Sequence, residues 1–168
     1  MDIYERQRTL KHQNALLIWL KTGMILTFLM VAIGGITRLT ESGLSMVDWR
    51  PLMGAIPPLN QGDWEAKFEL YKSSPQYLET NSHYNLVDFK KIFLWEYVHR
   101  LLGRLLSIIF IVPLLFFVIR KAVSAALGWR LLIVLFLGGF QGVLGWYMVK
   151  SGLVKDPEVS HFRLTAHL

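Results

Sequence analysis

Three long apolar segments restrict the folds open to this chain of 168 residues. They cover residues 15–36, 95–119 and 131–149, and the few charges in the first two lie near their starts. Each is close to the roughly 20 residues with which an α-helix crosses the hydrocarbon core of a bilayer. All three are too long to be buried helices of a small soluble domain, so each is predicted to be a transmembrane helix.

A fourth segment of similar character begins near position 159 and continues to Leu168. We expect it to be the start of another membrane helix, in a fragment of a longer protein. The predicted fold class is all-α: an integral membrane helical bundle with three complete transmembrane helices plus the start of a fourth. Residues 1–14 are predicted to be a cytoplasmic tail, and residues 15–168 a truncated four-helix bundle that includes an outer loop at 37–94.

The composition supports a membrane protein and removes several kinds of chemistry. Hydrophobic residues make up 53% of the chain and charged residues only 18%, against roughly 25% in soluble globular proteins. The chain has no cysteine. This excludes catalysis by a thiol, zinc sites with cysteine ligands and iron–sulfur clusters.

The positive charge of the chain is concentrated in two short segments. The tail holds Arg6, Arg8 and Lys11, and the connection between the second and third helices holds Arg120, Lys121 and Arg130. Short connections rich in Lys and Arg stay in the cytoplasm, so both segments are predicted to be cytoplasmic and the loop 37–94 to face outward. The net charge of +6 is therefore a signal of topology, and no binding of nucleic acid is predicted.

The first apolar segment does not have the features of a cleaved targeting peptide. It is longer than the apolar region of a signal peptide, and no pattern of small residues after it forms a cleavage site. Asp2 and Glu5 argue against a mitochondrial transit peptide. We expect an uncleaved, multi-pass protein of the bacterial inner membrane whose helices contact membrane lipid.

The outer loop contains a short helix of its own. Asp63 is predicted to cap a helix over residues 64–73 that ends before a proline. Its apolar residues Trp64, Phe68 and Tyr71 fall on one face. A helix of this kind lies on the membrane surface or caps a helical bundle, and the sequence leaves both placements open.

The second membrane helix carries the strongest chemical signal. Asn85 and Asp88 predict that this helix begins near Leu86, about two turns above the membrane. Glu96 and His99 follow, three positions apart and therefore on one helix face, at the outer boundary of the bilayer. Ionisable residues at this depth are costly and usually functional.

A second histidine at similar depth points to an iron site. His167 lies on the fourth segment, which also enters from outside, and helices two and four can face each other across a four-helix bundle. Facing imidazoles in a bundle core suit the axial positions of a haem. One alternative places His99 in the interface while Glu96 pairs with Arg100. Another is a di-iron site, but the predicted spans lack the further carboxylates that it needs.

Other side chains near this region have weaker signals. His161 lies about 240° from His167 around a helix, so both cannot reach one centre, and His161 is predicted to be a surface or substrate-entry residue. Arg38, Arg100 and Arg104 lie near the outer ends of the first two helices, where guanidinium groups suit the carboxylates of haem propionates. Lipid phosphate or the nearby glutamate would serve equally well as partners.

The chain resembles the haem A synthases, in particular the cysteine-free kind of alphaproteobacteria and mitochondria. The resemblance covers nearly the whole chain after the tail, in order. It is carried by GGITRLTESGLS at positions 34–45, Asn85 with Asp88-Phe89-Lys90, WEYVHR at positions 95–100, Gly103-Arg104, Gln141-Gly142, Gly145-Trp146, and Arg163-Leu164 with Ala166-His167-Leu168.

This resemblance implies an oxidoreductase of cytochrome oxidase assembly that converts haem O to haem A by successive oxidation of a porphyrin methyl group to formyl. It implies eight membrane helices in two pseudo-symmetric bundles, of which this chain is the N-terminal half. One bundle would hold haem b as cofactor and the other haem O as substrate, with the substrate on the N-terminal side. Haem O synthase and an electron partner of unknown identity are the implied partners.

The resemblance also implies roles for individual residues. His99 and His167 match the family's iron ligands in this half, and Glu96 matches its outer glutamate, a candidate catalytic residue. Some relatives have a cysteine pair in the first outer loop, which this chain lacks. The alternative is a cytochrome b-like membrane electron carrier, which would use the same histidines and would have no need for Glu96.

Overall fold

The computed structural model describes residues 3–48, 56–152 and 160–167, and these parts of the chain contain helices and turns but no strand. The helices are α1 (Ile3–Leu39), α2 (Gln61–Lys72), α3 (Leu86–Ile119), α4 (Ala125–Gly152) and α5 (His161–His167), with a π-helical segment at Tyr77–Asn81. The predicted all-α fold class is confirmed.

Three of these helices are long and apolar enough to cross a membrane. The candidate spans are His12–Leu39 in α1, Leu86–Ile119 in α3 and Ala125–Ser151 in α4. They contain the three predicted segments, extending the first and third at both ends and the second only at its start. The helix α1 also continues back through most of the predicted tail. The chain is therefore a multi-pass membrane protein.

A proline in α3 explains one hydrogen bond between α1 and α3. Pro113 has no backbone N–H, so the carbonyl oxygen of Ile109, four residues earlier, has no donor within the helix. The indole N–H of Trp19 in α1 donates to that oxygen at 2.8 Å. Because lipid offers no replacement donor, this bond satisfies a polar group that would otherwise destabilise the span.

Between α1 and α3 the chain forms a folded unit that we call the cap, comprising the described residues 40–48 and 56–85. Its core is an aromatic cluster shared with the first turns of α3: Met46, Phe68, Tyr71, Phe89, Ile92 and Phe93. Trp64 adds an edge-on contact to Phe93, with ring centroids 5.1 Å apart. Of the two predicted placements for the amphipathic helix, the structure therefore has α2 packed on the bundle.

The helix starts in the cap agree with the sequence in one case and differ in the other. Asn85 caps α3, as predicted, and its side chain accepts from the N–H groups of Val87 and Asp88 at 2.8 and 3.2 Å. The predicted cap at Asp63 is wrong, because α2 begins at Gln61. Asn60 is its cap and accepts from the N–H of Asp63 at 2.9 Å.

Candidate functional site

Glu96 is at the junction between α3 and the cap, with only 2% of its surface exposed. Its Oε2 accepts hydrogen bonds from the Ser45 hydroxyl at 2.6 Å and from the Met46 backbone N–H at 2.7 Å. Arg100, one turn along α3, donates to Oε1. The pairing of Glu96 with Arg100, one of the sequence alternatives, is therefore present, and two donors from the cap join it.

The turn after α1 explains how Ser45 reaches α3. The N–H of Glu41 bonds to the carbonyl of Arg38 at 3.2 Å, and the N–H of Ser42 bonds to the carbonyl of Thr37 at 3.0 Å. This is the Schellman pattern that ends helices, and it requires a left-handed residue, here Glu41 with φ 53°. The turn reverses the chain and buries Ser45 against α3.

His99 lies one turn after Glu96 on α3, and its imidazole lies against a glycine of α1. A Cβ atom added to Gly34 would be 3.2 Å from His99 Nε2. Gly103 lies one turn further along α3, and a Cβ atom added to it would be 3.3 Å from the end of the Met30 side chain of α1. The two helices thus pack closely at the level of the histidine because each presents a residue with no side chain.

His167 occupies the same kind of position between α4 and α5. A Cβ atom added to Gly145 of α4 would lie 2.8 Å from Cε1 of the His167 ring. Within the described part of the chain, Nδ1 of His167 and Oε1 of Gln141 are buried without a hydrogen-bond partner.

The structure places the two predicted ligand residues on different helices, within electrostatic range of each other. His99 belongs to α3 and His167 to α5. No three His, Cys, Asp or Glu side chains gather as a metal site in the described ranges. Two imidazoles, one with a buried nitrogen that lacks a partner, fit an iron whose remaining ligands come from a porphyrin better than they fit a di-iron carboxylate centre.

The structure also shows where the other predicted site residues lie. Arg100 is committed to Glu96, and Arg104 lies within electrostatic reach of Arg100 and Tyr97. Arg38 is half-buried in the last turn of α1. His161 is exposed, which agrees with the predicted difference in direction from His167, and its proposed exclusion from the iron stays a prediction.

Four residues of this region were not among the predicted site residues. They are Ser45 and Met46, which bind Glu96, and Gly34 and Gly145, which contact the imidazoles. Ser45 and Glu96 are 51 positions apart. No local pattern links residues at such a separation, so only the packing of the cap on α3 reveals the contact.

Comparison with known proteins decides the family. Residues 17–168 match the family COX15-CtaA, described as cytochrome oxidase assembly protein. The chain belongs to this family. A relative named heme A synthase from Nitrosospira multiformis is 53% identical over 156 residues, which cover 93% of this chain and 44% of the relative. No solved structure matches this member of the family.

Two further relatives give the same result. A heme A synthase from Flavobacterium psychrophilum is 47% identical, covering 95% of this chain and 48% of its own length. One from Sphingopyxis alaskensis is 49% identical, covering 92% of this chain and 44% of its own. The chain thus spans less than half the length of the curated relatives that it matches. The resemblance drawn from the motifs is confirmed at the level of the family.

Proposed function

We propose that this chain is the N-terminal, haem-binding half of a membrane enzyme that converts haem O to haem A. The observation that carries the proposal is that the imidazoles of His99 and His167, on two different helices, each lie against a glycine of a neighbouring helix, and that Nδ1 of His167 is buried without a hydrogen-bond partner in the described part of the chain. The names of the relatives support the reaction, in which a porphyrin methyl group is oxidised in steps to formyl.

Different residues of this half would bind different parts of the haem. His99 and His167 would bind the iron, and Arg38 and Arg104 would pair with propionates near the outer ends of α1 and α3. Bound haem O would supply the redox-active iron together with the methyl group that is oxidised. The cap covers α3 directly above His99 and would exclude water from the site.

Glu96 is the proposed catalytic residue, and its contacts limit what it can do. A carboxylate can accept about four hydrogen bonds, and three positions are taken by Ser45, Met46 and Arg100. One acceptor position remains, on a residue whose Cα is about 4.5 Å along the helix axis from that of His99. From there Glu96 would accept a proton or stabilise positive charge on the substrate, with its orientation held by the other three contacts.

The proposal extends to the setting of the enzyme. Haem O would occupy this half and haem b the other, with haem O synthase as the supplier of substrate and a separate electron partner. The location would be the bacterial inner membrane, with the N-terminus in the cytoplasm. Extraction of bound porphyrins, followed by chromatography of haems B, O and A, tests the assignment of the haems.

Histidine variants test the iron ligands. His99→Ala or His167→Ala in the full-length protein should abolish or shift the low-spin absorbance of the haem in this half, because each removes an axial ligand. His161→Ala is the matched control on the same helix and should leave the spectrum unchanged. A ligand-like effect at His161 with none at His167 would refute the assignment.

A bis-histidine electron carrier is the second candidate, and one observation favours it. Glu96 already holds the cap to α3, so a carboxylate at this position has a structural use in either protein. Glu96→Gln and Ser45→Ala separate the two roles, because the second removes a contact and keeps the charge. If the protein is the enzyme, Glu96→Gln should retain haem and lose haem A production. Ser45→Ala should still produce haem A. Normal haem A levels in Glu96→Gln would remove the catalytic assignment.

A further inference from the structure

Two helix pairs in this chain repeat one contact. In the first pair, α3 brings His99 against Gly34 of α1, and in the second, α5 brings His167 against Gly145 of α4. In both pairs the glycine belongs to the helix that comes earlier in the chain. The contact is therefore made twice, by unrelated stretches of sequence, at the two residues proposed to bind iron.

The neighbouring glycines show that this contact is specific to two positions. An added Cβ would be 3.2 Å from the His99 ring at Gly34 and 2.8 Å from the His167 ring at Gly145. Gly35, adjacent to the first, and Gly142, one turn from the second, have no atom within 4 Å of the same added Cβ. The close approach to an imidazole is thus made at Gly34 and Gly145 and not at these neighbouring glycines.

We propose that Gly34 and Gly145 are positioning residues that set the orientation of the His99 and His167 imidazoles toward the haem iron. The inference rests on the proposed function, because it concerns the ligands of that haem. Each glycine leaves a notch in which the ring lies directly on the backbone of the neighbouring helix. The ring can then turn about its two side-chain bonds only within the space that the notch allows.

The notch at Gly145 matters more because the ring has little other support. Nδ1 of His167 is buried without a hydrogen-bond partner among the described residues, so no hydrogen bond at that nitrogen fixes the turn of the ring. The contact with the backbone of α4 at Gly145 is left to do so. A methyl group at Gly145 would displace the ring from this position, since a side-chain ring moves more readily than a helix backbone.

Alanine variants at five glycines provide the test. Gly145→Ala and Gly34→Ala are the test variants, and Gly35→Ala and Gly142→Ala are controls on the same helices that meet no atom. Gly103→Ala is a steric control, because its Cβ would lie 3.3 Å from the end of Met30 in the α1–α3 interface and touch no imidazole. Alanine favours helix over glycine at every one of these positions, so loss of helix does not explain a difference between them.

The readouts are haem affinity, the low-spin spectrum and the reduction potential of the haem in this half, measured on the full-length protein. Gly145→Ala should lower haem affinity by about tenfold, the size expected when support for a metal ligand is lost. Gly34→Ala should give a smaller change in the same direction, because its added contact is longer. Spectra and potentials of the haem that remains should shift in both variants, and the three controls should match the unsubstituted protein.

Two outcomes would overturn the inference. One is a spectrum and potential in Gly34→Ala and Gly145→Ala that match the controls. The other is an equal shift in Gly103→Ala, which would assign the effect to helix packing in general. If His99→Ala and His167→Ala also leave the haem unchanged, the proposed function is wrong. If these two variants abolish the low-spin spectrum, only the proposed role of the glycines is wrong.

Discussion

Tyr71 is fully buried in the cap, with 0% of its surface exposed. Its hydroxyl donates to Oε1 of Gln76 at 3.1 Å and accepts from the Asn81 amide at 2.9 Å. Gln76 in turn donates to the backbone carbonyl of Glu41 at 2.8 Å, in the turn that ends α1. One phenol thus connects α2, the π-helical segment and the end of the first membrane helix.

This buried phenol predicts a dependence of cap stability on pH. Burial raises the pKa of Tyr71 from 10.0 to about 12, more than the hydrogen bond from Asn81 lowers it. A raised pKa means that the folded cap favours the neutral phenol, so its contribution is complete below pH 10 and is lost as the pH rises through 12. Near-ultraviolet circular dichroism of the aromatic cluster, recorded across this range, should show the loss.

Tyr71→Phe is the control for that titration. It should remove this pH dependence and lower the free energy of unfolding of the cap by about 1–3 kcal/mol, because buried polar groups of Gln76 and Asn81 lose a partner. A tyrosinate absorbance difference between the two proteins that titrates near the ordinary pKa of 10.0 would contradict the burial argument.

The candidate site residues that could be predicted from the sequence are those whose position in the membrane is energetically costly. Glu96, His99 and His167 were found because ionisable groups in a membrane helix need a reason to be there. Ser45 and Gly34 were not predicted. A serine or a glycine near a helix end has many uses, and neither is energetically costly in a loop or a membrane helix. Their importance depends on what lies opposite, which is a property of the folded chain.

At the scale of helices, the bond between Trp19 and Ile109 predicts a coupling between two distant positions. Trp19→Phe should destabilise the protein by about 1–3 kcal/mol beyond the loss of packing, because the Ile109 carbonyl then has no donor. In a Pro113→Ala background the helix supplies its own N–H to that carbonyl. The tryptophan should therefore contribute less there, and unfolding in detergent by a double-mutant cycle measures the difference.

The cycle separates this hydrogen bond from the aromatic packing of Trp19. Its indole packs on Phe110 and Phe117, with ring centroids 5.3 and 5.5 Å away. That packing is lost in both backgrounds and cancels. An equal cost of Trp19→Phe with and without Pro113 would show that the carbonyl does not depend on the indole.

Helix boundaries were predicted well where capping chemistry was unambiguous. Asn85 precedes an uninterrupted helical pattern, and α3 begins after it as expected. For α2 the prediction placed the cap at Asp63, whereas Asn60, three positions earlier, also has a side chain suited to capping a helix. The earlier one is used, and Asp63 is then in the first turn, where its charge interacts favourably with the helix dipole.

At the scale of the whole molecule, large apolar side chains remain exposed along the spans. Phe28 of α1 and Phe136 and Phe140 of α4 are examples. Apolar surface of this extent is unfavourable in water and compatible with lipid or with another membrane helix. The surface agrees with a multi-pass membrane protein, while the direction of insertion stays a prediction from the distribution of Lys and Arg.

Cysteine labelling tests that direction, and the chain contains no cysteine that would interfere. A cysteine at Ser73, exposed in the cap, should react with an impermeant thiol reagent added from outside. A cysteine at Ser124, exposed between α3 and α4, should react only after access to the cytoplasmic side. Labelling of the Ser73 variant from the cytoplasmic side alone would reverse the predicted topology.

The sequence by itself determined the fold class, the membrane spans, the family and the two candidate iron ligands, because bilayer thickness and the cost of buried charge act on local stretches of chain. Tertiary structure decided which faces meet. A membrane helix that is apolar all round has no pattern that sets its rotation. The contacts of Ser45 with Glu96, of Trp19 with Ile109 and of each glycine with its imidazole therefore appear only when the helices are packed.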